Sequence, residues 1–101
     1  MLELEHAGDG KVIVVGRLDA AEARKAQEFL DGIDNPRELD CARLEYISSA
    51  GLGILLRTQK RLMAKGGRLR LVNVSNHIRD VFRYSGFDKI FDIVSVADSG
   101  Q

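Results

Sequence analysis

Short runs rich in β-branched residues alternate along this chain with longer stretches whose apolar residues recur at helical spacing. Nothing else in the sequence constrains the fold as strongly, because strands separated by helix-length crossovers pair in parallel. Lys11 to Leu18, KVIVVGRL, is a continuous run of the kind expected of a strand covered on both faces. Before it, Leu2 and Leu4 alternate with glutamates, and Asp9-Gly10 supplies a turn, so the first two strands read as a hairpin with a longer loop. In Asp19 to Ile33, Ala23, Ala26, Phe29, Leu30 and Ile33 share one helical face, with Asp19 available as the N-cap.

Asn35-Pro36 then breaks the chain, and Glu38 to Leu44 reads as a short strand with a polar entry. The second helix is predicted over Ala50 to Lys65, with Leu52, Leu55, Leu56, Leu62 and Met63 as its stripe and Gly66-Gly67 as its stop. Arg68 to Val74 is a strand. Asn76 to Tyr84 repeats the helical pattern with Ile78, Val81 and Phe82, Ser85-Gly86 stops it, and Ile90 to Val96 adds a last strand. The expected order is β-β-α-β-α-β-α-β. This is an α/β domain: a small, mixed, mainly parallel sheet backed by helices, with right-handed crossovers.

A chain of 101 residues without repeats or linkers is expected to form one domain over 1–101, its core over about 2–96 and a short tail beyond. Fifteen basic residues balance fifteen acidic ones, so no global charge draws the protein to nucleic acid or anionic membrane. The apolar runs are too short for membrane insertion, and MLELEHAGDG carries acids where a signal peptide carries lysines. Cys41 is the only cysteine, which rules out an intrachain disulfide and a cysteine-pair metal site. A cytoplasmic protein is expected.

Little of the sequence resembles catalytic machinery. Gly51-Leu52-Gly53 lacks the third glycine of a dinucleotide fingerprint, and no glycine-rich loop ends in Lys-Ser/Thr. His6 and His77 have no second ligand at metal spacing, and Cys41 sits on a presumed buried strand. Arg57, Lys60, Arg61, Lys65, Arg68 and Arg70 cluster in sequence, mostly on what should be a solvated helix face. Neither a metal, a cofactor nor a catalytic residue is expected. What stands out is YISSAGLG, Tyr46 to Gly53, at a strand-to-helix junction. Ser49 reads there as an N-cap. The same geometry suits an anion, since a helix N-terminus offers free N–H donors and a positive dipole end. A phosphate on Ser49 would add about −1.5 to −2 charges at that point.

LDCARLEYISSAGLGILLRTQKRL, from Leu39 to Leu62, resembles the central signature of the STAS domain, nearest to the free-standing bacterial anti-sigma factor antagonists. Gly16-Arg17-Leu18-Asp19 is similar to the family's Gly-x-Leu-Asp, and Gly66-Gly67-Arg68-Leu69 to its third quarter. The resemblance covers about residues 2–96. It implies an interaction switch without enzymatic activity. Such proteins bind an anti-sigma factor that is also a serine kinase of the histidine-kinase ATPase class, and so free the sigma factor. The kinase phosphorylates the antagonist, and a PP2C-type phosphatase reverses this. By motif position Ser49 is the implied acceptor, with Ser48, which stands where many members have Asp, as the alternative. The implied contact surface comprises Leu18, Asp19, Ser48, Ser49, Ala50, Gly51 and Leu52, with Gly16 and Asp40 as structural motif positions. The fold also admits an accessory STAS subunit of a membrane lipid-transport ATPase, or a small-ligand sensor.

Overall fold

The computed structural model describes residues 1–95. Its elements follow the expected order: β1 (Leu2–His6), β2 (Lys11–Leu18), a 3₁₀ turn (Ala20–Glu22), α1 (Ala23–Asp31), β3 (Glu38–Ile47), α2 (Ser49–Met63), β4 (Arg70–Val74), α3 (Asn76–Ser85), a second 3₁₀ turn (Phe87–Lys89) and β5 (Asp92–Ser95). The five strands form one sheet in sequence order. β1 runs antiparallel to β2, and every other pair is parallel. The expected last strand is shorter at its start, and Val96 lies outside the described residues.

Strand order decides where the helices go. Each crossover steps one strand in the same direction, and right-handed crossovers of that kind place every helix on one face. β2 is therefore not covered on both faces as its apolar run suggests. Val12, Val14 and Leu18 are buried beneath the helices, whereas Ile13 and Val15 point the other way and are half-exposed. One contiguous core forms between sheet and helices, including Leu2, Leu39, Leu55, Leu62, Leu71, Ile78 and Phe82.

β3 runs three residues past its expected end, and its burial pattern explains why. Leu39, Cys41, Leu44 and Ile47 are buried, spaced two, then three, then three apart. Against β2 the register slips twice, between Ile13 and Val15 and between Gly16 and Arg17. Each slip is a bulge that exposes two successive residues and resets the phase. Asp40 braces the first, accepting from the Ala42 N–H at 3.0 Å and from the Asn73 side-chain amide at 3.1 Å. Gly16 has φ +103°, and a Cβ there would collide with the Met1 carbonyl. Both motif positions thus have structural work in the sheet.

Gln59 ties α2 to the far half of the sheet. It is fully buried, accepts from the Leu69 N–H and donates to the Ile90 carbonyl, both at 2.8 Å. α1 begins three residues later than expected, because Asp19 caps the 3₁₀ turn instead, accepting from the Glu22 N–H at 3.3 Å. α2 ends in the expected glycine pair, where the Gly67 N–H reaches back to the Leu62 carbonyl at 2.8 Å.

Candidate functional site

The junction of β3 and α2 sits at the carboxyl ends of the parallel strands, where open α/β sheets place their sites. Ser48 is held there at three points. Its N–H donates to the Leu18 carbonyl at 3.0 Å, its carbonyl accepts from the Leu52 N–H at 2.9 Å, and its Oγ accepts from the Gly51 N–H at 3.3 Å. Its backbone is extended, at φ −100° and ψ 176°. Ser48, not Ser49, is therefore the N-cap. The sequence offered two good caps in a row, and the added length of β3 selects the first.

Ser49 is consequently the first helical residue. It is exposed, and its hydroxyl has no hydrogen-bond partner among the described residues. Ala50 beside it is exposed as well. The N–H groups of Ser49 and Ala50 precede the first intrahelical bond and point out of the helix end. No acidic side chain lies in this first turn to answer the positive end of the helix dipole.

The other expected contact residues divide into a surface and a support. Leu18, Gly51 and Leu52 are buried. A Cβ on Gly51 would run into the Leu18 carbonyl and come within 2.9 Å of both Leu18 Cγ and Ile47 Cγ1. Gly51 lies in the wall beneath the surface, and its missing side chain lets α2 seat against the end of β2. Asp19 stays partly exposed at the rim. Its carboxylate meets Arg17 Nε at 3.5 Å, and the Arg17 guanidinium lies 4.3 Å from the centre of the Tyr46 ring. The Arg17–Tyr46 pair escaped the sequence reading. Its only signal was an aromatic residue at a strand end next to the serines.

Cys41 is buried, and burial, reinforced by the neighbouring Asp40 charge, pushes its thiol up to about 12. That leaves essentially no thiolate at neutral pH. His6 and His77 are both exposed, and no cluster of three or more His, Cys, Asp or Glu side chains forms among the described residues. The basic run is not one patch. Arg61 turns inward to the Leu30 carbonyl at 3.0 Å, Arg68 pairs with Asp92 at 3.6 Å, and Arg57 reaches Gln27 at 3.4 Å. No helix among the described residues is long and apolar enough to cross a membrane.

Comparison with known proteins adds three kinds of match. The family model described as Mlab, STAS domain, covers residues 3–95. Over 57 residues the chain is 46% identical to BtrV of Bordetella bronchiseptica, which is assigned as an anti-sigma factor antagonist; the match spans 56% of this chain and about half, 49%, of that protein. The anti-sigma-B factor antagonist of Bacillus subtilis is 28% identical over 95% of this chain and 91% of its own. Among solved structures, the Bacillus cell fate determinant SpoIIAA in its phosphorylated form superposes with a TM-score of 0.66 at 22% identity, over 98% of this chain and 96% of that one, a likeness of fold.

Proposed function

The chain belongs to the STAS domain family, and on that premise we propose that it is an anti-sigma factor antagonist switched by phosphorylation of Ser49. One observation carries the assignment of the residue. Ser48 spends its hydroxyl on capping α2, at 3.3 Å from the Gly51 N–H, while the Ser49 hydroxyl beside it is exposed and has no hydrogen-bond partner among the described residues. The names of BtrV and of the Bacillus subtilis relative support the class of function. The existence of SpoIIAA in a phosphorylated form supports the kind of switch.

In the resting protein the surface around Ser49 and Ala50 docks on an anti-sigma factor of the serine-kinase, histidine-kinase-type ATPase class, and the sigma factor is released. The bound kinase transfers the γ-phosphoryl group of ATP to Ser49 Oγ; the hydroxyl proton is lost and ADP leaves. The protein supplies the acceptor and its position, and the catalyst belongs to the partner. The new charge is tolerated by the protein itself, because it sits at the positive end of α2. It is not tolerated by an interface that closed over a neutral hydroxyl, where desolvation and the partner's own negative groups oppose it. A PP2C-type phosphatase resets the switch by hydrolysis. The protein acts in the cytoplasm, without direct contact with nucleic acid.

Incubation with an anti-sigma factor kinase from the same organism and ATP, followed by peptide mapping, tests this. Phosphate on Ser49 is expected. Phosphate confined to Ser48 or Ser75 would reject the site. Stable capture of a membrane-transport ATPase, with no kinase bound, would replace the function by that of an accessory transport subunit.

A further inference from the structure

Between Glu45 and Asp80 the chain carries seven bases and no acid, although the sequence as a whole is neutral. α2 lies inside that stretch, and it is the helix that presents Ser49. Its outer side is one stripe at helical spacing, Ser49, Gly53, Leu56, Lys60 and Met63, with Arg57 alongside. Lys60 stands on the same line as Ser49, roughly 16 Å further along the axis. Leu56 is half-buried and Met63 is 50% exposed, so the stripe is apolar as well as basic. Of the three bases on α2, Arg61 turns inward, Arg57 leans on Gln27 at 3.4 Å, and the Lys60 ammonium has no partner among the described residues. The acids on the elements packed beside α2 do not offset this. Asp19 is paired with Arg17 at 3.5 Å, Glu22 with the terminal ammonium at 3.7 Å and Asp31 with Arg61 at 3.9 Å. Glu28 lies on the outer side of α1, one turn from Arg24.

We infer that this stripe docks on an anti-sigma factor whose own contact face is acidic, and that Arg57 and Lys60 select that partner. Such a surface presupposes the function proposed above. A kinase that reaches the Ser49 hydroxyl has to close over the start of α2, and the contacts next in line are Gly53, Leu56 and Lys60. Complementary charge then acts twice. Acids spread along the partner's face steer it onto Arg57 and Lys60. The same acids repel a phosphate placed on Ser49, so attraction before phosphorylation and release after it have one origin. Two outward bases are sparse for nucleic acid, whose affinity comes from many phosphate contacts. They are also fewer than the about four to eight that mark binding to anionic lipid. With Leu56 and Met63 beside them, they match a protein face of mixed acidic and apolar character.

The check is calorimetric titration of the anti-sigma factor kinase from the same organism into the wild type, Lys60→Glu, Arg57→Glu and Lys89→Glu, at two salt concentrations. Lys89 is an exposed base on the second 3₁₀ turn, away from the stripe. Lys60→Glu should weaken binding at least tenfold and Arg57→Glu severalfold, with Lys89→Glu unchanged. Raising salt from about 50 to about 300 mM should weaken the wild type and relieve part of the Lys60→Glu deficit. With excess kinase and ATP, Lys60→Glu should still take phosphate on Ser49, as a raised KM at unchanged kcat. Arg57 and Lys60 are exposed, and a cooperative melt of each variant will show that it folds. A wild type that binds and is phosphorylated on Ser49, while Lys60→Glu and Arg57→Glu bind as tightly or Lys89→Glu loses as much, overturns the acidic partner face and leaves the proposed function standing. A wild type that neither binds the kinase nor accepts phosphate overturns both. Retention on DNA or on phosphatidylglycerol vesicles that Lys60→Glu abolishes, with kinase affinity untouched, would give the stripe to a polyanion instead.

Discussion

α2 and α3 enter the domain through the same chemistry and end up seated differently. Each follows a strand that ends in a buried residue, Ile47 or Val74. Each is capped by an extended serine, Ser48 or Ser75, whose Oγ accepts an N–H three residues on at 3.3 Å. Each closes its first intrahelical bond onto the cap carbonyl, at 2.9 Å from Leu52 and 2.8 Å from Arg79. The contrast lies at the third helical position. In α3 it is Ile78, fully buried and filling core; in α2 it is Gly51, where no Cβ fits. Capping is thus generic, and depth of seating is specific. α2 is drawn in until its first turn touches the end of β2, where the Ser48 N–H bonds the Leu18 carbonyl at 3.0 Å.

The largest effects should come from breaking the seats. Gly51→Leu drives a side chain into the Leu18 carbonyl and the Ile47 side chain and should cost more than ~3 kcal/mol, enough to remove most of a small domain's stability. Gly51→Ala should also destabilise, by about 1–3 kcal/mol, although helix propensity alone favours alanine by about 1. At the equivalent position Ile78→Ala leaves a cavity and should cost about 2–5 kcal/mol. Urea unfolding of the three variants measures this. A stabilised Gly51→Ala would show that α2 is not seated as described.

Ser49→Asp and Asn76→Asp place the same charge at the same position of the two helices, and both should stabilise slightly through the dipole, by about 0.3–1 kcal/mol. Only Ser49→Asp should weaken binding to the anti-sigma factor, tenfold or more, which is about 1.4 kcal/mol. Calorimetric titration of both variants separates a local switch from a general effect of added charge, and equal losses would reject the local one.

Loss of either cap should cost about 1 kcal/mol of folding stability, for Ser48→Ala as for Ser75→Ala. Ser48→Ala should nonetheless still accept phosphate at Ser49. Ser49→Ala should leave the urea midpoint unchanged and accept none. Midpoints and phosphopeptide maps on the same preparations separate the cap from the acceptor.

How far the sequence anticipated this contrast depends on the range of the interactions involved. α3 was legible from end to end, because its stop at Gly86, in the left-handed region at φ +82°, is a local signal. β3 was not, because two bulges broke the alternation by which strands are recognised, and the misplaced strand end shifted the cap from Ser48 to Ser49. The motif pointed to the candidate site, and the Arg17–Tyr46 pair became visible only once β2 and β3 were in register. The bare face of the sheet was hidden for the same reason. An apolar run such as VIVV does not disclose which way the crossovers step.

The smallest effect discriminates most finely. Gly51 and Gly53 are two residues apart in one helix and look alike in sequence, yet a Cβ on Gly53 would meet nothing within 4 Å. Gly53 is exposed on the same helical face as Ser49, and the domain gains no packing from its being glycine. A glycine inside a helix costs about 0.5–1 kcal/mol relative to alanine. Gly53→Ala should therefore raise stability by that amount, opposite in sign to Gly51→Ala, and the sign is read directly from paired urea midpoints. If both substitutions destabilise, the glycines share a constraint that the packing around α2 does not contain. If they split as expected, the requirement for glycine at Gly51 comes from the seat against β2, and none of it from the helix itself.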